Sequence, residues 1–172
     1  MPPPNVLPLN MIVSPNAAPD EFFGLGRGLE ARARLKMLAA IIDKLPTKVD
    51  VLKQKIVNRF QGNTYARECH IAKGYFGVGA IHKLPHICII SKGKILVADH
   101  LGERLIEAPA TFVSEAGIQR AGLCLEDTIW TTIHEVGDSI NEDSTEKEIR
   151  AVLTCKDYND TALPLTIEGE LL

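Results

Sequence analysis

The sequence has little aromatic content and no concentration of charge of either sign. Aromatic residues make up 5% of the 172 residues, and 19 lysines and arginines oppose 22 aspartates and glutamates, for a net charge of -3. A surface that binds nucleic acid needs concentrated lysine and arginine, because much of its affinity comes from displacing the counterions of the phosphates. We therefore expect no nucleic-acid partner.

Long apolar runs and paired cysteines are also lacking. No run approaches the roughly 20 residues that a membrane-spanning helix needs, so no membrane partner is expected. The four cysteines are Cys69, Cys88, Cys124 and Cys155; they form no CxxC pair, which favours reduced thiols in a cytoplasm. The motifs GxSxG, HExxH, the P-loop and the dinucleotide fingerprint are missing, so the hydrolase, protease and nucleotide-binding classes that they mark have no local support.

What the chain does contain begins with proline. Six of its ten prolines lie among the first 20 residues. Proline lacks an amide hydrogen and fixes φ, so residues 1–26 are predicted to form an extended arm that does not enter a sheet. Two interpretations stay open: a disordered tail, or an arm whose apolar residues, such as Leu9 and Ile12, occupy a groove on a neighbouring subunit.

Residues 27–62 form the predicted helical segment. A first apolar stripe, at steps of three and four residues, runs from Leu35 to Leu45 and ends at Pro46. A second stripe follows Thr47, a candidate N-cap, and consists of Val49, Leu52, Ile56 and Phe60. The stripes either pack on their own domain or form an oligomer seam, and the sequence leaves both alternatives open.

From residue 63 to residue 137 the pattern changes to short apolar runs separated by turn residues, which favours an antiparallel barrel or sandwich. Residues 138–172 are predicted to contain an acidic loop, a last helix and a tail. Thr145 and Glu148 are spaced as the capping box of that helix. Its apolar side is formed by Ile149, Val152 and Leu153.

The segment GYFGVGAIHKLPHICIISKG, residues 74–93, resembles the first motif of the cupins, G-x5-H-x-H-x3-4-E-x6-G. In that register Gly74 and Gly93 match the two glycines, and His82 matches the second histidine. Ala80 stands at the first histidine, and His86 stands at the glutamate. The resemblance implies a mainly β fold: a cupin-like antiparallel double-stranded β-helix barrel, here with an N-terminal extended arm, a helical segment and a C-terminal helix.

The second cupin motif, G-x5-P-x-G-x2-H-x3-N, aligns with APATFVSEAGIQRAGLCLED, residues 108–127. Gly117 matches, whereas Glu115 stands at the proline and Arg120 at the histidine. The resemblance thus leaves two imidazoles where a metal cupin has more ligands, and Arg120 is a permanent cation that would repel an ion. We therefore expect no cofactor; if a divalent metal binds, its ligands are His82 and His86, completed by water or Glu115.

An alternative use of the barrel interior is a pocket for a small anion. His82, His86 and Arg120 would form an electropositive concavity suited to a carboxylate, a phosphate or a sugar acid. Trp130 either adds a stacking face to this pocket or belongs to the core. Asp99 and Glu103 lie at a predicted hairpin turn and are expected to be solvated. No residue is assigned a catalytic role.

Residues 65–152 are similar to short cupin-like proteins of tailed bacteriophages, in the order of the runs EAP, TFVS, RAG and WTT. This resemblance implies a non-enzymatic structural component of a phage particle, in the tail or the head-tail region. Residues 1–60 would dock on other protein subunits, in a homo-oligomer or in a virion assembled in the host cytoplasm. Two alternatives stay open: a metal-dependent or sugar-binding cupin enzyme of isomerase, epimerase or dioxygenase type, and a small ligand-sensing cytoplasmic cupin.

Overall fold

The computed structural model describes residues 22–44 and 55–160, which fold into two larger antiparallel sheets with helices packed on them. The helices are α1 (Gly28–Asp43) and α2 (Glu146–Leu153), and a 3-10 helix spans Tyr158–Asp160. The strands are β1 (Lys55–Gln61), β2 (Thr64–Ile71), β3 (Phe76–Val78), β4 (Ile81–His82), β5 (His86–Lys92), β6 (Lys94–Asp99), β7 (Gly102–Glu107), β8 (Ala110–Ser114), β9 (Ala121–Cys124), β10 (Thr128–Glu135) and β11 (Thr154–Cys155). The prediction of a mainly β, antiparallel fold is confirmed.

Both larger sheets bring together strands that are far apart in the chain. The first has the order β1-β2-β10-β5-β8 and the second the order β3-β9-β6-β7, while β4 and β11 form a separate pair. Because side chains alternate between the two faces of a strand, each sheet turns one set inward. The inward residues that form the core between the sheets include Ile90, Ile95, Val97 and Cys124.

Gly93 marks the point where the chain passes from the first sheet to the second, between β5 and β6. Its φ is +88°, in the left-handed region that L side chains adopt at a cost. A Cβ at this position would collide with the carbonyl oxygen of Asp127 and would lie 2.8 Å from Oγ1 of Thr128. Backbone conformation and available space therefore both require glycine here.

Helix α1 covers β3 and β6 of the second sheet. Ala31 and Leu35 are buried on its inner side, against a cluster that also contains Phe23, Phe76 and Ala98. The chain just before α1 is anchored by the Glu103 carboxylate, which accepts from the backbone amides of residues 22, 23 and 24 at 2.6–2.9 Å. The expectation that Glu103 is solvated is therefore wrong, since it holds the chain that leads into the helix.

Helix α2 closes one end of the barrel. The predicted capping box is confirmed, because Thr145 Oγ1 accepts from the Glu148 amide while the Glu148 carboxylate accepts from the Thr145 amide. The apolar side of the helix packs as predicted: Ile149 and Leu153 are buried in one cluster with Tyr65 of β2. No helix among the described residues is long and apolar enough to cross a bilayer.

The prediction of a second helical stripe is wrong for Ile56 and Phe60, the two of its residues that the structure describes. Ile56 and Phe60 lie in strand β1, whose whole length pairs with β2, from Lys55 opposite His70 to Gln61 opposite Thr64. A four-residue spacing is also an even spacing, so it places two apolar residues on one face of a strand as well as on one side of a helix. Val49 and Leu52, the proline-rich part of the arm (residues 1–21) and the tail (residues 161–172) lie outside the described residues.

Candidate metal centre

A cavity of about 290 Å³ lies between the sheets. Strands β2, β5 and β10 of the first sheet and β6 and β9 of the second contribute to its wall, and α2 adds Ile149 and Arg150. Most of the lining is apolar, which is typical of a small-molecule site with a few polar groups. The polar side chains therefore decide what the cavity can do.

Three histidines meet at the α2 end of this cavity. His82 lies on β4, His86 at the start of β5, and His134 near the end of β10. Their ring centroids are 4.3 Å apart for His82 and His86, 4.5 Å for His86 and His134, and 5.4 Å for His82 and His134. One nitrogen from each ring lies within 4.8 Å of the others, so the three rings could hold a single metal ion.

The hydrogen bonds of these rings leave ligand atoms unused. The Nδ1 of His86 is 3.3 Å from the carbonyl oxygen of Leu84, which fixes the proton on that atom and leaves Nε2 as a lone-pair donor. Nδ1 of His82 and Nε2 of His134 are buried and have no hydrogen-bond partner. Buried polar atoms are almost always paired in native proteins, so these two require an explanation.

The electrostatic environment keeps the rings neutral. Burial, with smaller contributions from the neighbouring His86 and His134, lowers the pKa of His82 to about 2. Burial, followed by the charge of His86, lowers the pKa of His134 to about 3. The pKa of His86 is also lowered, chiefly by burial. Neutral imidazoles are the form that binds a metal.

Arg120, the permanent cation that was expected to repel a metal, lines the same cavity and is paired with other protein groups. Its Nε donates to Asp99 at 3.2 Å, and its Nη1 donates to the Ser114 hydroxyl at 2.7 Å. Asp99 is 0% exposed and also accepts from Arg104 and from the Leu101 amide. The expectation that Asp99 is solvated is therefore wrong, and its charge offsets part of the repulsion between Arg120 and an ion.

Trp130 contributes to both the core and the cavity. It packs against the central apolar cluster, edge to face with Phe112 at 5.9 Å between ring centroids, and it also lines the cavity. The two interpretations of Trp130 are therefore compatible.

Three cysteines, Cys69, Cys88 and Cys124, also line the cavity. Burial raises the pKa of each thiol.

The structure brings together four of the five predicted pocket residues, His82, His86, Arg120 and Trp130. The fifth, Glu115, is exposed and does not line the cavity, so it is not placed to complete a metal site. The residue that the sequence prediction missed is His134. One signal pointed to it: on β10 it alternates onto the same face as Trp130 and Thr132.

The barrel is similar in fold to solved cupin structures over about half of the chain. KdgF from Halomonas sp. matches 46% of this chain and 75% of its own at 18% identity, with a TM-score of 0.40. A cupin 2 conserved barrel domain protein from Salinispora arenicola matches 49% and 76% at 12% identity, with a TM-score of 0.41. An acetylacetone dioxygenase from Acinetobacter johnsonii matches 48% and 58% at 13% identity, with a TM-score of 0.39. No protein-family model and no curated protein matches the sequence.

TM-scores near 0.4 carry no argument about the site, so the fit to a metal is judged on this chain's own residues. Three converging neutral imidazoles match the preference of zinc and of other divalent first-row metals for nitrogen ligands. The two unpartnered ring nitrogens and the fixed tautomer of His86 agree with that assignment. The expectation of no cofactor is not confirmed by these observations.

Proposed function

We propose that this protein is a metal-dependent enzyme that acts on a small molecule in the barrel cavity. The observation that carries the proposal is the convergence of His82, His86 and His134, with ring nitrogens within 4.8 Å of one another. Two of these rings have a buried nitrogen with no protein partner. A bound metal ion would satisfy both nitrogens and would replace a set of unsatisfied polar atoms with ligand bonds.

The chain's own residues would hold the ion and shape its surroundings. The Leu84 carbonyl orients His86, and the surrounding wall buries the rings of His86 and His134. A divalent transition-metal ion bound here would supply Lewis acidity or redox chemistry. Because three protein ligands leave further coordination positions open, the apolar cavity beside the rings is where a substrate would lie.

The acid-base groups of the cavity favour one of the three predicted reaction types. Isomerisation and epimerisation move a proton and need a positioned base. Among the described residues that line the cavity, Glu146 is the one carboxylate, and Arg67 holds it in an ion pair of 2.8 Å. We therefore favour the dioxygenase type, in which the ion carries the chemistry and the wall orients the substrate.

Metal analysis tests this proposal directly. We expect protein reconstituted with Fe(II) or Zn(II) and then desalted to hold about one ion per chain, and we expect the double variant His82→Ala/His134→Ala to hold none. The matched control is His70→Ala, since His70 also lies on the barrel but pairs with Glu68 at 2.7 Å, away from the cavity. Elemental analysis by mass spectrometry measures the content.

Two results would overturn the metal centre. The first is wild-type protein that retains no ion after reconstitution with either metal. The second is a metal content that the double variant and the His70→Ala control share, because the ion would then bind elsewhere.

A structural role remains the second candidate, and the outer side of α1 favours it. Leu29, Met37 and Ile41 are 58%, 65% and 50% exposed, on the side of the helix away from Leu35. The predicted virion component, docking through residues 1–60, is tested by deleting residues 1–20 and measuring particle mass by light scattering. Assembly that persists without these residues would remove the arm from that role.

The ligand-sensing cupin stays a prediction. Catalytic turnover of a substrate would contradict it.

A further inference from the structure

Arg120 carries a charge that its protein partners balance only in part. Asp99 receives hydrogen bonds from Nε of Arg120 at 3.2 Å and from Nη1 of Arg104 at 3.1 Å. Two guanidinium cations thus share one carboxylate, and one unit of positive charge remains. The Arg104 side chain is 39% exposed, so solvent screens its charge. The Arg120 side chain is 12% exposed and lines the cavity. The surplus is therefore felt inside the cavity.

The guanidinium of Arg120 also has an unused donor. Nε donates to Asp99 and Nη1 donates to Ser114, but Nη2 makes no hydrogen bond within the described part of the chain. A guanidinium whose other nitrogens are fixed by protein groups is oriented in advance for an oxyanion. The free nitrogen is thus a binding element for negatively charged oxygen.

This binding element lies next to the histidines. Ser114 on β8, which holds Arg120, is the cross-strand partner of His86 on β5. Cross-strand partners have Cβ atoms about 5 Å apart. An anion bound to Arg120 therefore lies within reach of an ion on the histidine cluster.

Two more polar atoms of the wall are buried without hydrogen bonds, Nε1 of Trp130 and Oγ1 of Thr132. The indole nitrogen lies close to the Cys88 thiol, which is a weak partner. Both atoms can donate to an oxygen acceptor. The wall that β6 of the second sheet contributes is apolar and includes Ile95 and Val97, so a suitable ligand has oxygen atoms and an apolar part.

We propose that the cavity takes a small organic carboxylate whose oxygens accept from Nη2 of Arg120 and whose apolar part lies against Ile95 and Val97. This rests on the proposed function, because it assigns the substrate class of the same metal centre. The apolar wall at Ile95 and Val97 favours a carboxylate with an apolar part over inorganic phosphate, which has no apolar part.

The test compares isobutyrate with its uncharged analogue isobutyramide and with inorganic phosphate. Trp130 is the single tryptophan of the chain and lines the cavity, so its fluorescence reports whether a ligand occupies the cavity.

We expect isobutyrate to bind at least about 10-fold more tightly than isobutyramide. We expect Arg120→Gln to lower the affinity for isobutyrate about 10-fold. Arg120→Lys keeps the positive charge but lacks the planar set of donors of arginine. Its affinity for isobutyrate should therefore lie between the affinities of the wild type and of Arg120→Gln. The matched control is Arg150→Gln, which removes an exposed cation of the cavity lining and should change affinity by less than about 3-fold.

Should Arg120→Gln fail to fold, Ser114→Ala gives the same information, since it frees Arg120 from its anchor and should weaken isobutyrate several-fold while retaining the charge. Equal affinity for isobutyrate and isobutyramide would overturn the proposal, and so would tighter binding of phosphate. Titrations with and without Zn(II) separate this proposal from the metal centre. If the protein prefers the carboxylate but binds no metal, only the proposed function is contradicted. If the protein binds metal but shows no such preference, only the carboxylate assignment is contradicted.

Discussion

Two buried polar clusters lie in the same barrel, and they differ in how completely the protein satisfies them. Asp99 accepts from Arg104, from Arg120 and from the Leu101 amide. The histidine cluster has two buried nitrogens with no partner. A satisfied network rigidifies a fold, whereas unsatisfied buried groups are costly and persist where something else needs them. The Asp99 carboxylate thus stabilises the architecture, whereas the histidine cluster holds the unpartnered nitrogens that the proposed metal ion would satisfy.

The largest effect should come from breaking the satisfied cluster. Asp99→Asn removes the negative charge that two arginines share and leaves Arg120 buried without a counter-ion. We expect the free energy of unfolding to fall by about 3 kcal/mol, as for other buried ion pairs that lose one partner. Urea denaturation followed by circular dichroism measures it.

The control for Asp99→Asn is Glu107→Gln. Glu107 pairs with Lys94 at 3.1 Å on the surface and is 65% exposed, so its loss should cost less than about 1 kcal/mol. If the two changes lowered the free energy of unfolding equally, the Asp99 cluster would stabilise the fold no more than a surface ion pair does. That result would contradict the contrast drawn between the two buried clusters.

A smaller effect should come from loosening the helix that closes the histidine end. Thr145→Ala removes the side-chain cap of α2 and should lower the free energy of unfolding by about 1 kcal/mol. Amide hydrogen exchange should quicken in α2 and stay unchanged in β6, which carries Asp99. Faster exchange in both elements would mean that the two ends of the barrel open together.

The smallest effect on stability should come from the unsatisfied cluster itself. His134→Leu replaces a buried ring that has an unpartnered nitrogen with an apolar side chain of similar bulk. In metal-free protein we expect the free energy of unfolding to change by less than about 1 kcal/mol, in either direction. In the same variant the rise in melting temperature on adding Zn(II) should disappear, because metal binding stabilises only a folded site. A large loss of stability without metal would assign His134 to the architecture.

Local features of this fold could be read from the sequence. The capping box of α2 depends on residues three apart, and Gly93 marks a turn whose backbone conformation suits glycine. The register between Gly74 and Gly93 drew attention to His82 and His86, which both line the cavity. Each of these predictions concerns residues that are close in the chain, where spacing alone fixes geometry.

The features that were missed depend on contacts between distant segments. His134 joins the cluster because β10 lies between β2 and β5, an order that no local pattern encodes. Asp99 looked like a turn residue because its partner Arg120 lies 21 residues away. Ile56 and Phe60 fitted a helix until the pairing of β1 with β2 decided the matter.

The pairing of His86 with Ser114 makes strand register a condition of the proposed activity. β8 is the edge strand of its sheet, so its alignment depends on one neighbour alone. A slip of one residue would turn Ser114 out of the barrel, release Arg120 and change the strand beside His86 at once. A misaligned edge would therefore remove the proposed charge recognition and disturb the proposed metal centre in a single step, even in a molecule that kept its overall shape.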